Sequence, residues 1–400
     1  MQSVDAVYKS NFKEGAYPFY DHLRQNNPIS PLSSSDDGNT TWLVTKYDDV
    51  QDLLKRPSFI KDQSKLFSKS ARSEEEPLET KIFHHMMLDV DPPDHTRLRK
   101  LVQPSFNPKS IQQLAPRINA IADQLIDEMK AKEGTVDLID DFAFPLPIIV
   151  ISELLGVPAE DRDKFRKWSN SIVSASDNME GEFMKDVQEF TDYLTFLFKK
   201  RKEDPKDDLV SNLLQHEEDG EKLSSEELYS MVFLLIIAGH ETTVNLIGNG
   251  MFALFENPDQ LQLLQNDFTL TERAIEEALR YYSPVDFSTA RWAEETFDFR
   301  GIQISKGDMV LASLSSANRD EEKFTNADQF DITRKPNPHL AFGYGIHFCL
   351  GAPLARLEGK IAYEKLLTAF PSIQLAGSPS EVKWRNMFLL RGLEGLKVKL

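Results

Sequence analysis

Cys349 is the single cysteine in a chain of 400 residues, and a thiol without a partner has three uses: an inert core group, a nucleophile, or the sulfur donor to a metal. It cannot close an intrachain disulfide, and one sulfur is too few for a sulfur-rich zinc site. It stands in the run Phe342-Gly343-Tyr344-Gly345-Ile346-His347-Phe348-Cys349-Leu350-Gly351-Ala352-Pro353-Leu354-Ala355-Arg356. Gly343, Gly345 and Gly351 would let the backbone turn sharply and approach a flat ligand, which a packed core position does not need. Pro353 suits the first turn of a helix, so the sulfur is expected just ahead of a helix N-terminus, where amide N–H groups and the dipole favour thiolate over thiol.

A second set of reactive side chains lies at Ala238-Gly239-His240-Glu241-Thr242-Thr243. It follows the apolar run Met231 to Ala238 in a segment opened by the capping-box pattern Ser224-x-x-Glu227, which places a carboxyl and two hydroxyls inside a long buried helix. Thr242 can donate to a carbonyl one turn back, and with Gly239 beside it this is expected to loosen the ladder into a small groove. Two rival chemistries fail at single positions. His240-Glu241-Thr242-Thr243-Val244 starts like a zinc-protease helix but has valine where the second ligand belongs, and Gly343-x-Gly345 starts like a dinucleotide loop but has Phe348 at the third glycine position. No Gly-x-Ser-x-Gly elbow and no phosphate-binding Gly-x-x-x-x-Gly-Lys loop occurs.

Two further pairs carry charge at helical spacing. Glu277 and Arg280 share one face of the stretch Thr271 to Tyr282, which Pro284 closes; alone, such a pair is usually solvated and worth a few tenths of a kcal/mol. His95 and Arg99 share a face directly after the helix-start signal Asp91-Pro92-Pro93-Asp94.

The cysteine run resembles that of the haem-thiolate monooxygenases, the cytochromes P-450, whose loop has the form Phe-x-x-Gly-x-His/Arg-x-Cys-x-Gly; this chain fills every position. In that family a cysteine thiolate holds the haem iron and favours O–O cleavage. The resemblance implies haem b as cofactor, Cys349 as its metal ligand, and Phe342, Ala238 and Gly351 against the ring. Glu241 and Thr242 match the acid and alcohol that deliver protons during dioxygen cleavage. His95, Arg99, Arg291 and His347 match the positions that bind the haem propionates. Glu277 and Arg280 match a buried pair that locks onto an arginine of the segment ahead of the cysteine loop, with Arg334 as first candidate and Arg319 as second. By family position the substrate pocket takes Phe83, Met86 and Met87, then Leu234, Ile237 and Ala238, then Val285, Phe287 and Ser288, and Phe388 in the turn Met387 to Leu389. Each of these apolar residues could equally be core packing.

The elements that must position these groups are mostly helical. Ile111 to Ala131, Phe183 to Arg201, Ser225 to Glu256 and Leu354 to Phe370 repeat apolar residues at three and four, whereas Thr41 to Val44, Asp298 to Ile304 and Met309 to Leu311 read as short strands. The fold class expected is mainly α with a small β portion. The resemblance adds a triangular helical prism with haem between the long central helix and the cysteine loop. No linker, repeat or low-complexity tract divides the chain, so one domain over residues 1–400 is expected; Ser33 to Thr40 and Lys199 to Asp208 read as surface loops.

A formal charge of −18 and a pI near 5.0 speak against nucleic acid as a partner. Met1 to Tyr20 has no apolar run long enough for a signal peptide or membrane anchor, so a soluble, cytoplasmic monomer of the bacterial type is expected. The resemblance implies a ferredoxin or flavodoxin with its reductase as electron donor, docking at a basic patch of Arg97, Lys100 and Lys109. It also implies dioxygen and a small hydrophobic substrate such as a polyketide or macrolide, statin, steroid or fatty acid. A hydrogen-peroxide-driven peroxygenase would lack the acid–alcohol pair, a haem-thiolate sensor would not need it, and an ordinary helical protein would hold no haem.

Overall fold

The computed structural model describes residues 7–9, 11–34, 38–66, 77–161, 164–165, 167–168, 182–216 and 220–400. The helices that frame the site are α1 (Ala16–Asn26), α2 (Tyr47–Lys55), α3 (Asp94–Val102), α4 (Ala115–Lys130), α5 (Pro145–Leu155), α6 (Glu182–Glu203), α7 (Ser225–Glu256), α8 (Thr271–Tyr281) and α9 (Ala352–Ala369).

Helix α7 begins at its capping box: Glu227 N donates to Ser224 Oγ at 3.2 Å, and Ser224 N donates to Glu227 Oε2 at 2.8 Å. Pro258, just past its end, cannot continue the helix. Its apolar stretch is long enough to cross a membrane, but 78% of that window is buried inside the protein. A helix that is apolar on most sides belongs in a core, and α7 packs against α5, α8 and α9. The crossing with α9 is close. A Cβ at Gly250 would lie 1.6 Å from Tyr363 Oη and 2.8 Å from Ala278 Cβ, so glycine is required there.

The small β portion is built from short strands far apart in sequence. β1 (Ile29–Ser34), β2 (Thr40–Val44), β3 (Phe59–Ile60), β5 (Arg291–Ala293) and β8 (Met309–Ala312) form one sheet in the order β1-β2-β8-β5-β3. β2 and β8 run parallel and the other neighbours antiparallel. β4 (Thr135–Asp137), β9 (Gln374–Leu375) and β10 (Lys397–Lys399) form a second sheet, and β6 (Phe297–Phe299) and β7 (Ile302–Ile304) a hairpin.

The fold class is the expected one, mainly α with a small β portion. Several boundaries differ. The segment Ile111 to Ala131 is two helices: a short one, Pro108–Gln112, is followed by a turn and then α4, with Pro116 in the first turn of α4. Asp298 to Ile304 is not one strand but the β6–β7 hairpin, reversed at Arg300 and Gly301, both at positive φ. Of the loop expected at Ser33 to Thr40, Ser33 and Ser34 belong to β1 and residues 35–37 lie outside the described residues. Residues 1–6 and 10 of the N-terminal segment also lie outside them.

Candidate functional site

The cysteine loop is shaped by its backbone. Cys349 N donates to Phe342 O at 2.9 Å, closing a turn in which Gly343 and Gly345 have φ of +73° and +77°. A Cβ at Gly345 would also fall 2.9 Å from Leu54 O of α2, so the loop needs glycine there for space as well as for conformation. Gly351 has a φ of −80°, so no left-handed backbone requires glycine there. Helix α9 starts at Ala352 with Pro353 in its first turn, and the amides of Gly351 and Ala352 hydrogen-bond the sulfur.

These amides, Arg99 and Arg356 favour the thiolate, yet burial outweighs them and pushes the Cys349 thiol above its ordinary value. The amides act in the expected direction, and burial is the larger effect. In the protein by itself the sulfur is a thiol, and it is metal coordination that removes such a proton outright.

Four expected cationic residues do converge. The His95 and His347 rings are 4.2 Å apart between centroids, and His347 also feels Arg291, Lys61 and Arg99. His347 is held down to about 2, first by burial and then by these cations. Burial likewise lowers His95, and lowers Arg291 to about 10 and Lys61 to about 8. Asp89 Oδ1 lies 3.5 Å from Lys61 Nζ, and Asp91 is engaged by the amides of Lys61 and Asp62 at 2.9 and 3.0 Å and by Lys65 Nζ at 3.1 Å. His347 Nε2 is buried without a hydrogen-bond partner among the described residues. Arg99, Arg291 and Lys61 beside two neutral imidazoles, one with an unpartnered ring nitrogen, make a site for an anion, which would also favour protonating the rings.

The middle of α7 supplies an apolar face. Within residues 230–254 of α7, otherwise buried, Ala238 is exposed and Ile237, Gly239 and Thr242 are partly exposed. Thr242 Oγ1 donates to Ala238 O at 2.9 Å, as expected, but α7 continues unbroken through the site. Glu241 is only 1% exposed. Its Oε1 accepts from Arg385 Nη1, and His240 Nε2 lies 3.6 Å from Oε2. In the cysteine loop, Phe342 is half-buried, with the Arg356 guanidinium over its ring at 4.5 Å. Phe348 is 40% exposed. A soft sulfur donor, a cationic cluster with an unpartnered imidazole nitrogen and open apolar surface together fit a flat macrocycle carrying carboxylates and a metal, which is haem.

The pocket residues divide. Ile237 and Ala238 are open, Val285 and Phe388 are half-buried, and Phe83 is half-buried with its ring 5.2 Å from that of Phe233. Met86, Met87 and Leu234 belong to the main core. Phe287 is contradicted as a pocket residue: it is 0% exposed, packed against Tyr20 and Phe388 at 6.2 and 5.0 Å. Ser288 is contradicted too, being buried with Oγ accepting from Ala312 N at 3.2 Å. Both lie in an extended segment that pairs with the end of β8, Ser288 N donating to Ala312 O at 2.8 Å, which turns them into the core.

Behind the loop, Glu277 and Arg280 are both fully buried. Glu277 accepts from Arg280 Nη2 at 2.7 Å and Nε at 2.8 Å, from Arg334 Nε at 3.1 and 3.2 Å, from Asp331 N at 2.9 Å and from Asn337 Nδ2 at 3.1 Å. Arg280 Nη1 donates to Asn318 O at 2.9 Å, and Asn318 Oδ1 accepts from Leu340 N at 2.7 Å, two residues before Phe342. The second candidate, Arg319, instead donates to Tyr281 O and lies over the Tyr281 ring at 3.5 Å. The proposed basic patch is not a free one. Arg97 is ion-paired to Glu227 and, at 3.2 Å, to Glu221, because α3 packs beside the capped start of α7. Lys100 and Lys109 are exposed.

Lys61, Arg385 and Glu358 escape sequence reasoning. Lys61 Nζ donates to Thr289 Oγ1 at 2.7 Å and Ala290 O at 2.8 Å beside the cationic cluster. Glu358 on α9 is 1% exposed. Its Oε2 is unpartnered among the described residues, and Thr243 of α7 hydrogen-bonds its carboxyl. None of the three sits in a motif.

The cytochrome P450 family profile matches residues 32–393. The chain is 49% identical over 390 residues to a cytochrome P450 of Bacillus subtilis (strain 168), covering 97% of this chain and 94% of that one. It is 44% identical to the polyketide biosynthesis cytochrome P450 PksS of the same organism, covering 97% and 96%. The solved structure of PksS superposes with a TM-score of 0.92 over 98% of this chain and 99% of that one. P450BioI, solved in complex with an acyl carrier protein ligated by hexadec-9Z-enoic acid, is 39% identical with a TM-score of 0.87, covering 97% and 99%.

Proposed function

The chain belongs to the cytochrome P450 family, and we propose that it hydroxylates a hydrophobic small molecule of the polyketide or long-chain acyl type. Family members are monooxygenases that use haem b. The observation that carries the reading is the join between a lone cysteine under helix amides and a cluster of cations around the unpartnered ring nitrogen of His347. The overall reaction consumes the substrate C–H bond, dioxygen, two electrons and two protons, and yields an alcohol and water.

When bound, haem supplies the activation of dioxygen and the oxidation of the C–H bond. Cys349 Sγ would hold the iron. His95, Arg99, Arg291 and His347 would hold the propionates, with Lys61 adding positive charge beside them. Ala238 and Phe342 would pack on the ring. Ile237, Val285, Phe83 and the open side of Phe388 would orient the substrate and exclude water. Glu241 would carry protons from solvent toward Thr242, whose Oγ1, held by Ala238 O, would pass them on. The similarity to PksS favours a polyketide, and the acyl chain held in the P450BioI complex favours a carrier-bound or free fatty chain. A ferredoxin or flavodoxin with its reductase would supply the electrons to a cytoplasmic monomer.

The first test is the carbon monoxide spectrum of the dithionite-reduced protein. Wild type should show the strongly red-shifted Soret band of a thiolate-ligated haem, and Cys349→Ser should lose it; a band that survives the substitution overturns the ligand assignment. Turnover of myristic acid and of a macrolactone with a surrogate ferredoxin and reductase then tests substrate class, and oxidation of neither overturns that part.

A further inference from the structure

Glu241, as it stands, has its carboxylate committed to Arg385. Its carboxylate is buried and ion-paired to Arg385, and an ionised carboxylate only accepts hydrogen bonds. The pair must open before the group can act. Arg385 comes from the turn that carries Phe388 and Leu389. Arg385 N donates to Gly392 O at 2.8 Å, and Met387 N donates to Arg385 O at 3.0 Å. The returning strand of this turn lies hard against α7: a Cβ at Gly392 would be 2.1 Å from Asn245 Oδ1, one helical turn past Glu241. The tip points the other way, with Leu389 37% exposed. The Arg385 side chain is 27% exposed, so the ion pair sits at the edge of the core, where it can open.

We propose that Arg385 is a positioning residue that latches Glu241 to the turn 385–389, and that a substrate pressing on this turn releases the carboxylate for proton transfer. The inference rests on Glu241 and Thr242 being the proton relay. Its logic is linkage: a ligand that must open the latch binds more weakly by the cost of opening, and a protein whose latch is already broken binds it more tightly.

The test uses the haem-loaded protein and two neutral iron-binding probes followed by their optical shifts. 1-Dodecylimidazole carries a long apolar chain to press on the turn, and imidazole carries none. Arg385→Gln and Glu241→Gln should each lower the dissociation constant of dodecylimidazole by the same factor, roughly threefold to tenfold, with no further gain in the double variant. Arg385→Lys should restore the wild-type value in part, and imidazole binding should not change. Additive effects of the two substitutions, equal changes for imidazole, or weaker dodecylimidazole binding by the variants would overturn the latch. A merely structural arginine would lower thermal stability without making the two single variants and the double alike. Failure of the relay reading is recognised separately, by a Glu241→Gln enzyme that still couples reductant fully to product.

Discussion

Replacing Glu277 by glutamine should be among the most damaging isosteric changes in this protein. The substitution keeps shape and removes one charge, leaving the guanidinium of Arg280, fully buried, and that of Arg334, 9% exposed, facing each other without a counter-ion. Removing one partner of a buried pair costs about 3–5 kcal/mol. Both arginines keep carbonyl partners, Asn318, Ala327 and Gln329 for Arg280 and Thr325, Asn326 and Gln329 for Arg334. The loss for glutamine should therefore sit near the lower end, about 3 kcal/mol, and the loss for alanine nearer 5 kcal/mol. With a urea dependence of roughly 2–3 kcal/mol/M, the unfolding midpoint should drop by about 1 M or more for glutamine. The assay is urea titration of the haem-loaded protein by tryptophan fluorescence, with the carbon monoxide band followed in parallel. Because Arg280 reaches the cysteine loop through Asn318 and Leu340, the thiolate signature should be lost at lower urea than in wild type. Glu322→Gln is the control: Glu322 pairs with Lys46 at 2.6 Å but is 74% exposed, so it should cost under about 1 kcal/mol. If Glu277→Gln costs no more than the control, the buried lock does not hold the loop and the reasoning fails.

Gly250→Ala should destabilise by about 1–3 kcal/mol, because its methyl would overlap Tyr363 Oη; adding Tyr363→Phe should recover part of the loss in the same urea titration. Glu358 gives a stability effect that grows with pH. Burial raises its carboxyl to about 8 from 4.5, so the folded protein holds a proton that the unfolded chain releases. Wild type should lose stability relative to Glu358→Gln as pH rises from about 4.5 to about 8, at up to about 1.4 kcal/mol per unit; denaturation midpoints that run parallel across this range would refute it. Thr242→Ala should divert reductant to hydrogen peroxide with little change in haem binding, measured as peroxide and product per reductant consumed, and unchanged coupling would show that another group passes the proton.

Groups whose function depends on neighbours within a few residues were legible in the chain. The cysteine run reads as a loop before a helix because Gly343, Gly345 and Pro353 constrain backbone directly. Ser224 and Glu227 place the start of α7 because a capping box is complete within four residues. Glu241, Thr242 and Ala238 fall on α7, and His95 and Arg99 on α3, by helical spacing alone. Strands β1, β3, β5, β9 and β10 were not legible: two to six residues carry too little pattern, and all but β1, which pairs with the nearby β2, are held by partners distant in sequence.

What the sequence determined by itself is the chemistry: one sulfur donor, a set of cations, an acid beside an alcohol, and the helices that carry them. The tertiary structure decided how these groups are spent. It gave Arg97 to Glu227 and Glu221, turned Phe287 and Ser288 into the core, put Glu358 behind Thr243, and brought Arg385 across 144 positions to Glu241. The reason is physical. Backbone conformation and capping are fixed by contacts a few residues apart, whereas burial, ion pairing and a raised or lowered pKa depend on which segments the packed core presses together, and no spacing in the chain encodes that.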